Sequence, residues 1–414
     1  MEIDLENRSE ISNYSLEELE QFRDEKGFID LSRIGIKFGD DTREFVGNQD
    51  RIKNWVTFDG VQTLIKGEIK LEDGKPNYGI YAELIVEELS KLYGIPSAHY
   101  DLVKMKNPDG IEELGVLSVS VVDKKKGEYL ESLASLTGIE VPEDDEFDTT
   151  TSYEFTIEKL RERMNKNGAS SEEIEKQLTE LRKRLAYYMI IADADRHPEN
   201  IAFIRHENGS MEMSPVFDSE ASLLMDSDIE TLKKLSQSVG NIIENSDWID
   251  PRIVTENVSE ENVKSPWKDT FQELLKDEKV RQYCLETLMP FKEEADIAEF
   301  YDKAIQNVET RIGAKIPEEA RMVSKMLYMY RVEEVAQLLG KNIEVDRFTG
   351  GYFSERFVGK RINKPNTDAI ISNIVSRGTG KEHVGVTDLL ASLQSMGLLK
   401  NRPDSEQSLE DDEK

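Results

Sequence analysis

The stretch DADRHPENIAFIRHENGSMEMSPVFDSE, residues 193–220, sets clustered polar residues around two short apolar runs separated by Glu207-Asn208-Gly209. Asn-Gly between apolar runs is a hairpin turn signal, so the segment reads as loop, strand, turn, strand, loop. Folding the hairpin back brings Asn200, just before the first strand, near Asp218, just after the second. Directly upstream a long helix is predicted from Ser170, where Glu173 three residues later completes a capping-box signature. Its apolar stripe is Ile174, Leu178, Leu181, Leu185 and Tyr188, at spacings of three and four.

The pairing of an amide and a carboxylate at one point suits a hard cation. Mg²⁺ takes such oxygens and shares its shell with nucleotide phosphates and water, so Asn200 and Asp218 are candidate metal ligands. Asp195 lies on the loop leaving the helix, where a carboxylate can orient an incoming hydroxyl and accept its proton. His197 beside these hard oxygen ligands is read as a brace of the loop rather than a metal ligand. Arg196 has no assigned role at this stage.

Upstream of residue ~122 the chain shows strand-like runs. NWVTF (54–58) and VQTLIKG (61–67) meet at Asp59-Gly60, a dipeptide of tight hairpins, and AHYDLVKM and LGVLSVSVV follow later. One helix interrupts them: YAELIVEELSKLYGIP places Tyr81, Ile85, Leu89 and Leu92 on one face and stops at Gly94 with Pro96 beyond. Past residue ~122 the pattern turns mostly helical, with the polar stretch EVPEDDEFDTTTS inside ~125–169 read as a loop or insertion. The expected organisation is a β-rich lobe over 1–122, a mostly helical lobe over 123–345, and an extension over 346–414 ending in an acidic tail too poor in apolar residues to order itself. Within that extension, RFTGGYFSERFVGKR (347–361) interleaves basic and aromatic residues and is read as a segment docked on the helices.

Composition removes several function classes. The formal net charge of −31 opposes sequence-independent nucleic-acid binding, which depends on Lys and Arg neutralising phosphates. No run approaches the roughly 20 apolar residues of a membrane span, and MEIDLENRSE lacks the basic and apolar parts of a secretory signal, so the expectation is a cytoplasmic chain without membrane contact. Cys284 is the single cysteine, which rules out an intramolecular disulfide.

DADRHPEN followed by PVFDSE resembles the catalytic and metal-binding segments of the HipA-like serine/threonine kinases, which show an Asp-x-His-x-x-Asn loop and a later Asp in an apolar setting. Asp195, His197, Asn200 and Asp218 match in order. The resemblance covers roughly residues 40–235 and implies an α+β, two-lobed protein-kinase-like fold: a small, mainly antiparallel β lobe with one helix, and a larger, mostly helical lobe. It implies Asp195 as base, Asn200 and Asp218 as metal ligands, and Lys66, at the end of LIKG, as the ATP α/β-phosphate contact. Glu83, seventeen residues on, fits the acidic partner of that lysine, with Glu87 as fallback. LSVSVV (117–122), with Val119 and Val121, falls where such kinases connect the lobes and contact adenine. The segment expected to cover the phosphates, EFVGNQDRIKNW, departs from a glycine-rich loop, which leaves Gly47, Arg51 and Lys53 as its phosphate contacts.

The implied activity is ATP- and Mg²⁺-dependent transfer of the γ-phosphoryl group to a protein hydroxyl, on a protein substrate whose identity the sequence does not disclose. Two alternatives stand beside it. DRHPEN also resembles the catalytic loop of phosphoinositide 3- and 4-kinases, which would make the acceptor a lipid or small molecule, and the atypical phosphate segment is compatible with a nucleotide-binding pseudokinase.

Overall fold

The computed structural model describes residues 10–36, 38, 43–46, 49–68, 77–107, 109–139, 151–225, 227, 229–235, 253–254, 266–341 and 343. Gly47, the bulk of EVPEDDEFDTTTS and the segment 347–361 lie outside them, as does the acidic tail.

The first part of the chain builds a mainly antiparallel sheet from β1 (Glu10–Ser12), β2 (Ile29–Asp30), β3 (Arg43–Val46), β4 (Gln49–Phe58), β5 (Val61–Gly67), β6 (Tyr100–Lys106) and β7 (Glu112–Val119). The order is β1-β4-β5-β7-β6-β2, with β3 paired to β4. The two short outer strands, β1 on β4 and β2 on β6, pair in parallel. At the β4–β5 turn, Asp59 and Gly60 have φ of +44° and +78°, the two positive values that a two-residue hairpin with the sheet's own twist requires.

Alternation along the strands gives the sheet two buried faces. Ile65, Val103 and Leu117 pack with Leu19, Ile29, Leu31 and Phe58 in a core closed by the N-terminal segment. Leu102 and Val116 face the other way, into the larger core that runs through α1 (Gly79–Tyr93) to the helices beyond. Lys66, the neighbour of Ile65, therefore points to the α1 side, where its register partner is Val116.

The same register leaves no room for a side chain at Gly115. A Cβ on Gly115, opposite Gly67, would lie 2.1 Å from the Lys66 carbonyl oxygen and 2.8 Å from the Met105 methyl. Gly115→Ala is accordingly expected to cost roughly 1–3 kcal/mol through forced backbone displacement. A urea midpoint identical to that of the parent would contradict this account of the strand pairing.

The remainder is mostly helical: α2 (Leu133–Thr137), α3 (Tyr153–Lys166), α4 (Ser171–Ile190), α5 (Ile229–Leu235), α6 (Pro266–Leu274), α7 (Glu278–Tyr283), α8 (Glu294–Ile312) and α9 (Glu318–Leu338). A π-turn at Cys284–Leu288 extends α7, and β9 (Thr151–Ser152) pairs in parallel with β12 (Ile253–Val254). The Ser170 side chain caps α4 by accepting from the Glu173 N–H, and Ile174, Leu178, Leu181, Leu185 and Tyr188 are all buried. The hairpin of β10 (Ala202–Arg205) and β11 (Met211–Met213) turns over Gly209 at φ +84°. A third strand, β8 (Tyr129–Ser132), pairs with β10. With α2 and α3 it gives regular structure to the parts of ~125–169 on either side of EVPEDDEFDTTTS, the stretch read as a loop or insertion, most of which lies outside the described residues.

Helix α1 is buried on nearly every side, including Glu83, Glu87 and Glu88. Buried carboxylates demand partners. Glu87 and Glu88 look toward α8: Glu87 lies 2.9 Å from Arg311 and 2.7 Å from both Lys91 and His99 Nδ1, and Glu88 lies 2.8 Å from Lys91. Burial would raise the Glu87 carboxyl, but the His99 hydrogen bond and the Arg311 charge hold it down to about 2. Glu83 faces the sheet instead.

Candidate active site

Lys66 is 4% exposed, a burial that an unpaired ammonium could not sustain. Its Nζ donates to Glu83 Oε1 at 3.0 Å and to Asp218 Oδ1 at 2.5 Å. The lysine predicted from LIKG thus meets the acidic partner predicted on α1, and the fallback Glu87 serves a different cluster. Glu83 uses its second oxygen to accept the Ser219 N–H at 2.8 Å, so one carboxylate fixes the lysine and the loop after Asp218 together.

Electrostatics divides the labour within this group. Burial pushes the Glu83 carboxyl up, and Asp218 and Glu220 add to that push against the pull of Lys66. Burial also opposes the charge of Asp218, yet Lys66 beside it wins and holds that carboxyl well below the usual range. Three carboxylates raise the Lys66 ammonium well above its ordinary value despite its burial. Asp218 is therefore more firmly ionised than Glu83.

Its backbone is equally constrained. Asp218 has φ +55°, the left-handed region that Asp tolerates better than most residues, and its N–H donates to the Tyr100 hydroxyl at 2.8 Å. Just before it, Val216 bridges in parallel to Ser97, with Ala98 N–H to Val216 O at 2.7 Å and Val216 N–H to Pro96 O at 2.8 Å. The strand leading to Asp218 is thereby sewn to the segment between α1 and β6.

The loop leaving α4 is organised by Arg196, fully buried over the Tyr188 ring at 4.3 Å. Its guanidinium donates to Asp193 Oδ2 at 2.8 and 2.7 Å, to Asn200 O at 2.6 Å, to Asp218 O at 2.6 Å and to Ser219 Oγ at 2.9 Å. One side chain thus joins the Asp195–Asn200 loop to the Asp218 loop. Within the first loop, Asn200 Nδ2 donates to Asp195 O at 2.9 Å and Asp195 Oδ2 at 3.0 Å. His197 Nε2 lies 3.7 Å from Asp195 Oδ1, and its Nδ1 accepts from the Glu199 N–H at 3.3 Å.

Of the other predicted contacts, Lys53 stands opposite Lys66 in the β4–β5 register and is exposed. Arg51, two residues before it on the same face, is buried against Glu220. Val119 packs at the edge of the sheet core and Val121 at the edge of the helical core, so the connection between them passes from one to the other. Among the described residues, Glu83, Asp218 and Glu220 bring ligand oxygens within 4.8 Å of one another. Glu220 and Arg196 are the site residues that sequence reasoning left without a role. An Asp three residues before an Arg was the available hint for the second, and no signal marked the first.

Comparison with known proteins adds an independent line. No curated protein matches the chain. Among solved structures, a proinflammatory kinase of Helicobacter pylori, CtkA, aligns with a TM-score of 0.49 at 12% identity, over 70% of this chain and 92% of that one. HipA of Shewanella oneidensis MR-1, solved with HipB and its operator DNA as a toxin–antitoxin system, aligns with a TM-score of 0.41 at 14% identity, over 71% of this chain and 66% of HipA. No helix among the described residues is long and apolar enough to cross a membrane. The HipA-like C-terminal domain model matches residues 48–284, more than half of the 414, a span that begins ahead of Lys66 and runs past Asp218; the chain belongs to that family.

Proposed function

We propose that the chain is an ATP- and Mg²⁺-dependent phosphotransferase that passes the γ-phosphoryl group to a hydroxyl on a protein. The observation that carries this reading is the convergence on one buried lysine of Glu83 from α1 and Asp218 from the loop after β11, with Arg196 tying that loop to Asp195 and Asn200. The donor set fits the metal: Asp218 is held ionised, and Asn200 commits its amide nitrogen to Asp195, which leaves a carbonyl oxygen for a hard cation. Mg²⁺ held there supplies charge neutralisation for the phosphates.

The side chains divide the remaining work. Lys66, freed from Asp218 by the incoming polyphosphate, grips it while Glu83 keeps the ammonium in place. Arg51 and Lys53 share the lysine's face of the hairpin and add positive charge at the phosphates. Asp195 orients the acceptor hydroxyl and takes its proton, and His197 steadies the loop.

The direct test is incubation with γ-labelled ATP and Mg²⁺, alone and with cell lysate, beside an Asp218→Asn protein that keeps the backbone but loses the charge. Label on protein with the parent and none with the variant is the expected result. ATP binding without label on any protein would overturn the protein acceptor and shift the assignment to a lipid or small-molecule acceptor, or to a nucleotide-binding pseudokinase.

A further inference from the structure

Two residues beyond Asp218, the Glu220 carboxylate accepts from both terminal nitrogens of Arg51, at 2.8 and 2.9 Å, and lies 3.6 Å from the Lys66 ammonium. Side-chain exposure is 7% for Arg51, 4% for Lys66 and 19% for Glu220, so the contact is largely dry. A two-pronged N–H···O fork is the geometry a guanidinium offers equally to a carboxylate or a phosphate. Arg51 comes from β4 and Glu220 from the loop after β11, 169 residues later. The pair closes the space between the two cations.

Charge and backbone both make this occupation consequential. Two cations, Arg51 and Lys66, meet three carboxylates, Glu83, Asp218 and Glu220, so the cluster carries one excess negative charge when all are ionised. The Glu220 main chain packs closely against the start of α1: a Cβ on Gly79, the first residue of α1, would lie 2.9 Å from its carbonyl oxygen, and the next residue, Ala221, accepts the Ala194 N–H at 3.3 Å. Clearing the site therefore falls to the Glu220 side chain.

We propose that Glu220 is an internal phosphate surrogate. Its carboxylate sits between Arg51 and Lys66, holds both oriented for phosphate, and must swing out before a nucleotide polyphosphate can enter. It thereby sets nucleotide affinity and disfavours the metal-free nucleotide, whose full negative charge meets an already negative site. The inference rests on Lys66 and Arg51 being the phosphate contacts proposed above.

The test is calorimetric titration of the full chain with ATP, in EDTA and in Mg²⁺, for the parent, Glu220→Gln, Arg51→Gln and the double variant, with unfolding temperatures recorded for each. Glu220→Gln is expected to bind metal-free ATP about tenfold more tightly, the effect of removing one nearby charge in a partly buried site. The gain should be smaller with Mg²⁺ and should shrink in the Arg51→Gln background. A merely structural Glu220 would move the unfolding temperature and leave affinity unchanged, which would overturn the proposal. Weaker Mg-ATP binding by Glu220→Gln would overturn it as well, and would make the residue a metal ligand. An equal gain in the Arg51→Gln background would reduce the effect to bulk charge and also defeat it. If folded parent and variants all fail to bind ATP, the functional reading itself falls; if the parent binds and the variant gains nothing, Glu220 alone has been misread.

Discussion

Asp195→Asn is expected to lower phosphoryl transfer by roughly 10²- to 10⁴-fold, the usual contribution of a positioned general base, while leaving nucleotide affinity and unfolding temperature near those of the parent. The separation is possible because Asp195 takes no part in the Lys66 cluster. Its Oδ2 accepts from Asn200 at 3.0 Å and its side chain is 44% exposed, so an amide of the same shape can keep that contact without desolvating a charge. What is lost, on the proposed mechanism, is the acceptor for the hydroxyl proton. Single-turnover transfer and ATP titration on the same preparation would check both halves. A variant that transfers at the parent's rate would remove Asp195 from the reaction, and one that also lost nucleotide affinity would assign it to binding.

Arg196→Met is the second large effect, and it falls on stability first. The substitution strands Asp193, whose carboxylate is fully buried and, among the described residues, retains a single 3.3 Å contact from the Asp195 N–H. Removing one member of a buried ion pair costs roughly 3–5 kcal/mol, because the other charge stays desolvated. Denaturant unfolding should show that loss, and Asp193→Asn added to Arg196→Met should recover part of it. Arg196→Lys is expected to rescue poorly, since a single ammonium cannot span Asp193, Asn200 O, Asp218 O and Ser219 Oγ together. A cost below about 1 kcal/mol for Arg196→Met would mean that the two loops hold their positions without the guanidinium.

The sequence disclosed what is local. The hairpin at Asp59-Gly60, the cap at Ser170, the stripe from Ile174 to Tyr188 and the turn at Gly209 each depend on residues a few positions apart, and each stands where its pattern put it. The pairing of Lys66 with Glu83 was reachable through the family resemblance, and the structure sets the two 3.0 Å apart. Two kinds of feature escaped. Strands as short as β1, β2 and β8 carry too few residues for an alternation to register, and they exist because a neighbouring strand offers an edge. The Arg51–Glu220 fork and the Arg196 hub are contacts whose meaning lies in what surrounds them: an ordinary glutamate after a serine, and an arginine whose five donated bonds reach both the loop leaving α4 and the loop after β11.

The close approach at Gly115 ties the lysine's place to the register of its strand. Because the obstructing atom is the Lys66 carbonyl oxygen, a side chain at Gly115 could be accommodated only by displacing the strand that carries the lysine, so packing on the sheet face away from α1 governs where the Lys66 ammonium stands.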